Sequence, residues 1–213
     1  MRPVVFLGPS LPRLEANRIL SADFRPPVKR GDLPSLEDDV DVIGIIDGVF
    51  MGEAAVGHRE IIDKLRSGVK VYGAGSMGAL RAAELQDFGM IGVGAIFNHY
   101  LNGEIDGDDE VALIFNPETL EPLSEPLVNM RLNLQNAVRA GLINVPEAAQ
   151  VINCMKSIYF PKRSLSKLRD CAAQNLGLET CRTIGTMIDE EYVDYKKEDA
   201  VKLLTTIANS ILR

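Results

Sequence analysis

Three short β-branched runs, each handing over to turn residues and then to a helical stretch, constrain this chain more than anything else in it. Val4-Val5-Phe6-Leu7, Val42-Ile43-Gly44-Ile45-Ile46 and Val69-Lys70-Val71-Tyr72 have the continuous apolar character of strands buried on both faces. Helices are predicted over Arg13 to Leu20, with Pro12 suited to its first turn, over His58 to Arg66, ended by Ser67-Gly68, and over Met77 to Gln86, with Ser76 at its start. Such alternation specifies an α/β fold with a Rossmann-like parallel sheet in the N-terminal half. The second half changes period: Leu127, Met130, Leu134, Ala137 and Val138 share one helical face, as do Val201, Leu204, Ala208 and Ile211. We therefore expect an α/β core over 1–123 and an all-helical region over 124–213 packed on it. A further strand is expected over Val111 to Phe115.

Charge narrows the function classes. With 23 basic and 30 acidic residues the formal charge is −7, which argues against a nucleic-acid partner. Residues 82 to 130 hold ten acidic residues and no Lys or Arg, whereas 131 to 169 hold seven basic residues against one acidic. The basic run of Lys156, Lys162, Arg163, Lys167 and Arg169 suits either an acidic partner or the chain's own acidic segment. No apolar stretch near the start is long enough for a signal peptide or a membrane span, so a cytoplasmic protein is expected. Cys154, Cys171 and Cys181 are far apart, with no CxxC, and only two histidines could assist them, so neither a disulfide framework nor a zinc site is expected, and a single Cys reads as a small buried hydrophobe or, alternatively, as a sulfur relay. The acidic Asp106-Gly107-Asp108-Asp109-Glu110 lacks calcium-loop spacing, and no metal is assigned to it.

Parallel sheets bind ligands at the carboxyl ends of their strands. Three loops follow the strands: Gly8-Pro9-Ser10, Asp47-Gly48-Val49-Phe50, and Gly73-Ala74-Gly75-Ser76-Met77-Gly78. The third matches G-x-G-x-x-G, the pattern of a dinucleotide loop, yet it follows the third strand and lacks the acidic residue about 20 positions on that a ribose requires. It also resembles a nucleophile elbow, with Ser76 at a strand-to-helix turn and the N–H groups of Met77 and Gly78 facing a developing oxyanion. Alternatively Ser76 simply caps the helix. A serine nucleophile needs a base; His58 is the candidate, with Asp47 to orient it, while His99 beside Tyr100 reads as a packed or surface imidazole. Asp47 also reads as a turn residue before Gly48. Arg81 and Glu84, three apart, suit a salt bridge, or Arg81 suits an anion beside Ser76.

Taken together, Gly8-Pro9-Ser10-Leu11, Pro26-Pro27, Gly31-Asp32-Leu33, Ile46-Asp47-Gly48-Val49-Phe50, His58-Arg59-Glu60-Ile61, Tyr72 through Leu85, Gly89-Met90, Asp108 through Ala112 and Ser124 through Arg131 resemble the TfuA family. The likeness spans about residues 4 to 131, with an Ala74-Gly75 step where many relatives have Ala-Ala or Ala-Ser. The resemblance implies a partner of a YcaO enzyme, the ATP-using catalyst that turns a peptide-backbone amide into a thioamide. It further implies hydrolysis of the C-terminal thiocarboxylate of a ubiquitin-like sulfur carrier, releasing sulfide for YcaO without metal or cofactor. The short form is similar to the archaeal branch linked to thioamidation of a glycine in the methyl-coenzyme M reductase α subunit. On this reading Ser76, His58 and Asp47 are catalytic, and Ser10, Gly8, Gly48, Gly75, Met77, Gly78 and Arg81 line the substrate, the glycines admitting a narrow diglycine tail. The alternative is a non-catalytic adaptor that recruits substrate or sulfur source to YcaO.

Overall fold

In the computed structural model, which describes residues 1–50 and 54–212, five strands form one parallel sheet in the order β2-β1-β3-β4-β5. β1 (Pro3–Phe6), β3 (Val42–Ile45) and β4 (Lys70–Gly73) are the three expected strands, each within a residue or two of its predicted ends. Every residue of β1 and β3 is buried, which is why these strands read as continuous apolar runs rather than as alternation. Val5 stands opposite Phe24 on one side and Gly44 on the other, and Gly44 opposite Tyr72. Two edge strands complete the sheet, β2 (Asp23–Arg25) and β5 (Ile91–Gly92). At three and two residues they are too short to leave a periodic signal.

The helices that connect these strands are α1 (Arg13–Ile19), α2 (His58–Arg66), α3 (Met77–Leu85) and α4 (Ala95–Leu101). Each expected helix is present. The Glu60 carboxylate organises the start of α2 by accepting the N–H of Gly57 at 3.2 Å and that of Gly31 at 2.9 Å. Strand order places β2 on one side of β1 and β3 on the other, so the chain reverses its direction of travel across the sheet between β1 and β3. In an open parallel sheet that switch point is where a crevice forms beyond the strand ends.

The chain divides into two compact units, Met1–Asp108 with Lys196–Arg213, and Asp109–Tyr195. These units follow contacts and do not coincide with a boundary at 123. The last helix, α9 (Tyr195–Ile211), gives the sheet unit Ala200, Leu203, Leu204 and Ile207, which share one apolar cluster with Val5, Leu7, Val42 and Tyr72. Asp199 of the same helix reaches α4, its two oxygens accepting the N–H groups of Ala95 and Ile96 at 2.8 Å each. It supplies from a distance the cap that Gly94 cannot provide.

The second unit is helical: α5 (Leu127–Arg139), α6 (Val145–Ser157), α7 (Leu165–Asn175) and α8 (Leu178–Thr186). Leu127, Met130, Leu134 and Ala137 lie in its core as their spacing predicts. Asn144 and Glu147 form a capping box at the start of α6, and the Ser164 hydroxyl caps α7. The oppositely charged stretches meet within this unit. Arg131 pairs with buried Glu110 at 2.5 Å, and Arg163, 2% exposed, binds the Asp109 carboxylate at 2.6 Å and the carbonyl of Ile158 at 3.0 Å. For Arg163 the acidic partner is therefore the chain itself.

Two expectations are corrected here. Residues 111–115 form no strand: Phe115 makes only an isolated bridge to Pro122, and the N–H of Ile114 donates to the Ser124 hydroxyl at 2.9 Å. Pro117 and Pro122 lack the N–H groups that a longer ladder would need. Cys154 and Cys171 form a disulfide with their Cα atoms 5.9 Å apart, against the expectation of none. Spacing rules seek local motifs, whereas this pair is brought together by α6 packing on α7.

Two stability measurements follow. The disulfide closes a separation of 17 residues; on loop entropy its reduction, or Cys171→Ala, lowers the unfolding free energy by about 3 kcal/mol in guanidinium melts. Burial pushes the Asp199 carboxyl up from 3.8 to about 6, with the two N–H bonds pulling back. Because the folded state holds that proton more tightly, Asp199 contributes most stability below pH 3.8 and the contribution is lost as pH rises through about 6. Between pH 4 and 7, Asp199→Asn makes stability fall less steeply than in the parent, by about 2–3 kcal/mol, in melts compared at each pH.

Candidate functional site

At the switch point the loops after β1 and β3 are joined by one carboxylate. Asp47, 2% exposed, accepts the N–H of Gly8 at 2.8 Å and of Ser10 at 3.1 Å on Oδ2, and the Ser10 hydroxyl at 2.7 Å on Oδ1. Its own backbone is fixed too: the N–H donates to Phe6 at 3.3 Å and the carbonyl accepts from Val28 at 2.9 Å. Three hydrogen-bond donors thus satisfy the buried carboxylate, as the burial of such a group requires. Val28 forms a parallel bridge with Gly48, so the Pro26-Pro27-Val28 segment lies beside the loop that follows β3. Sequence reasoning noticed the proline pair but gave it no place; only strand pairing locates it.

The loop from β4 into α3 is the second wall. Gly75 takes φ +69°, the left-handed region that favours glycine, and so accounts for the Ala-Gly step. Gly78 lets α3 sit against β3: a Cβ there would lie 1.7 Å from the carbonyl oxygen of Ile45. Met77 packs on Gly48 and brings this wall against the end of β3. Ser76 stands at the N-cap of α3 and is 1% exposed, yet its hydroxyl makes no capping bond. Its N–H donates to Ala74 at 2.7 Å, and the N–H of Gly78 donates to Ile46 at 3.2 Å. Among the described residues Met77 N–H has no such acceptor, so one of the two expected oxyanion donors is open and the other is engaged.

His58 goes elsewhere. Its Nε2 lies 2.8 Å from Oε2 of Glu84, the oxygen that also accepts Arg81 Nη1 at 2.5 Å, while Arg81 Nε donates to the Val56 carbonyl at 3.2 Å. The Arg81–Glu84 salt bridge is as expected. Glu84 lies eight residues beyond Ser76 along α3, about 12 Å at the helical rise, so His58 in this pose does not reach the Ser76 hydroxyl. The Asp47-to-His58 relay is likewise not formed, because both Asp47 oxygens are taken by the Gly8–Ser10 loop. Of the expected residues, the structure brings together Gly8, Ser10, Asp47, Gly48 and Met77, with Ser76, Gly75 and Gly78 in the adjoining turn; His58 and Arg81 form a separate cluster with Glu84. His99 pairs with Glu104 at 2.7 Å in and just beyond α4.

A family model of TfuA-like proteins matches residues 47–164, more than half of the chain. The chain belongs to the TfuA-like family. Membership carries a YcaO-associated role in thioamidation. A search of curated proteins found no match. The matched region of this TfuA-like protein opens at Asp47 itself and includes the whole of the Gly73–Gly78 loop.

No group of three or more metal-ligating side chains occurs among the described residues, and no described helix is long and apolar enough to cross a membrane. A phosphate cradle needs several free N–H groups at one helix start; with Ser76 and Gly78 engaged, the glycine loop is explained by packing instead. A cavity of about 350 Å³ lies at the other end of the strands, lined by Glu37, Asp41, Lys64 and Ser67, away from the Asp47 loops.

The contact between α3 and β3 is directly testable. Gly78→Ala sets a methyl against the Ile45 carbonyl and lowers stability by about 3 kcal/mol or more. Gly177→Ala, where nothing lies within 4 Å, changes it by less than about 1 kcal/mol. Thermal melts of the two variants make the comparison.

Proposed function

We propose that this TfuA-like protein hydrolyses the thiocarboxylate terminus of a ubiquitin-like sulfur carrier and so supplies sulfide to a YcaO enzyme in the cytoplasm. The observation that carries this reading is the Ser76 hydroxyl: it sits at a helix start, makes no capping bond, and is next to an open N–H on Met77. Two donors side by side, with the positive end of the α3 dipole behind them, suit an oxygen that gains charge during acyl transfer. With His58 held by Glu84, Ser76 acts as an oxyanion donor while water attacks. The carbonyl carbon gains the water oxygen and loses sulfur, so that thiocarboxylate and water give carboxylate and hydrogen sulfide. Sulfide is a stable leaving group, and no general acid is called for. On this reading the target is a glycine of the methyl-coenzyme M reductase α subunit, as the resemblance to the archaeal branch of the family implies.

The bond from His58 to Glu84 favours a second reading, in which the protein is an adaptor that holds the sulfur source beside YcaO and performs no chemistry. Sulfide release from a thiocarboxylated carrier separates the two. Under the hydrolase reading the wild type releases sulfide, Ser76→Ala is slower by about 100-fold, and His58→Ala retains most of the rate. Failure of the wild type to release sulfide, together with a stable YcaO complex, establishes the adaptor.

A further inference from the structure

Of the five cations in the basic run from Lys156 to Arg169, three are answered inside the helical unit. Arg163 binds the Asp109 carboxylate at 2.6 Å, Arg169 pairs with Asp189, and Lys167 lies 3.1 Å from Asp170. Lys156 and Lys162 are exposed, and among the described residues neither meets a carboxylate. Between them stands Tyr159, 63% exposed on the loop from α6 to α7. We infer that this loop is the element with which the protein docks on an acidic segment of its YcaO enzyme. The inference rests on the family's association with YcaO and not on the hydrolase reading.

The loop is fixed from its inner side. The Arg163 guanidinium, 2% exposed, donates to the carbonyls of Met155 at 3.3 Å, Ile158 at 3.0 Å and Asp109 at 2.8 Å, and the Arg163 carbonyl accepts the Glu125 N–H at 3.0 Å. The Lys162 N–H donates to the Tyr159 carbonyl at 2.8 Å, and a 3-10 turn runs over Phe160–Lys162. The Tyr159 ring meets Phe160 edge to face, their centroids 4.9 Å apart. Met155 and Arg163 are thus buried, while Lys156, Ser157, Tyr159 and Lys162 are left outside. An aromatic ring held out on a prefolded loop loses little freedom on binding, and tyrosine is among the residues that most often anchor protein interfaces. It needs no recess of its own, because it is the part that inserts. The two lysines, three residues to either side of it, attract carboxylates and set the register of the contact. The formal charge of −7 limits that attraction to the loop: a long polyanion would run from the lysines onto acidic surface, whereas a short acidic protein segment does not.

The test measures the affinity of the full chain for the YcaO enzyme of the same organism by calorimetry, at about 50 and about 500 mM salt. Tyr159→Ala is expected to weaken the complex by about 30-fold. Lys156→Glu combined with Lys162→Glu weakens it by about tenfold at low salt, and the complex that remains loses less affinity than the wild type when salt is raised. Arg13→Glu combined with Arg18→Glu, the same change of charge at exposed positions of α1, leaves affinity within about twofold of the wild type. The inference is overturned if the wild type forms no complex with YcaO, if the loop variants bind as tightly as the wild type, or if the α1 reversal weakens binding as much as the loop reversal. Sulfide release from a thiocarboxylated carrier, measured without YcaO, keeps the two proposals apart: the loop variants are expected to retain the wild-type rate. Weakened binding by the loop variants of a protein that releases no sulfide upholds the docking loop and removes the hydrolase reading alone.

Discussion

Asp47 is the constraint around which the sheet unit's carboxyl edge is arranged. A carboxylate buried to 2% exposure is costly unless donors surround it, and here they are two backbone N–H groups and a hydroxyl from the loop after the neighbouring strand. The compensation fixes the path of Gly8-Pro9-Ser10. It also requires β1 and β3 to be adjacent, which is the arrangement that creates the switch point. The fit of α3 against the Ile45 carbonyl then brings the Ser76 turn up to the same edge. Sheet order and loop path are thus a single solution rather than two independent features.

Much of this was readable in the sequence because the central strands are buried on both faces. Runs such as Val42-Ile43-Gly44-Ile45 need no partner to announce themselves, and a helix such as His58–Arg66 is bounded by local signals at both ends. The loops that follow these strand ends were legible for the same reason. Which residues bond to which was not. Asp47 is 37 residues from Ser10 and 11 from His58, and sequence distance favours the wrong partner; strand adjacency decides for Ser10. The pairing of Cys154 with Cys171, and the use of Arg163 inside its own unit, depended likewise on helix packing that no spacing rule encodes.

The glycine loop shows how one pattern can arise from unrelated demands. Gly75 answers a backbone angle and Gly78 a close approach to a strand. Together with Gly73 they reproduce a nucleotide-binding signature, although the N–H groups such a ligand would use at Ser76 and Gly78 are engaged within the protein. What distinguishes the two origins is the fate of individual N–H groups.

The return of Lys196–Arg213 to the sheet unit has a consequence for the nascent chain. Ala200, Leu203, Leu204 and Ile207 complete a cluster whose other members, from Val5 to Val93, emerge from the ribosome more than a hundred residues earlier. During synthesis one flank of the sheet waits for its cover while the helical unit, contiguous in sequence, has everything it needs to fold first. Completion of the sheet unit therefore comes after the helical unit has been translated, and the sheet without its last helix leaves this apolar flank uncovered.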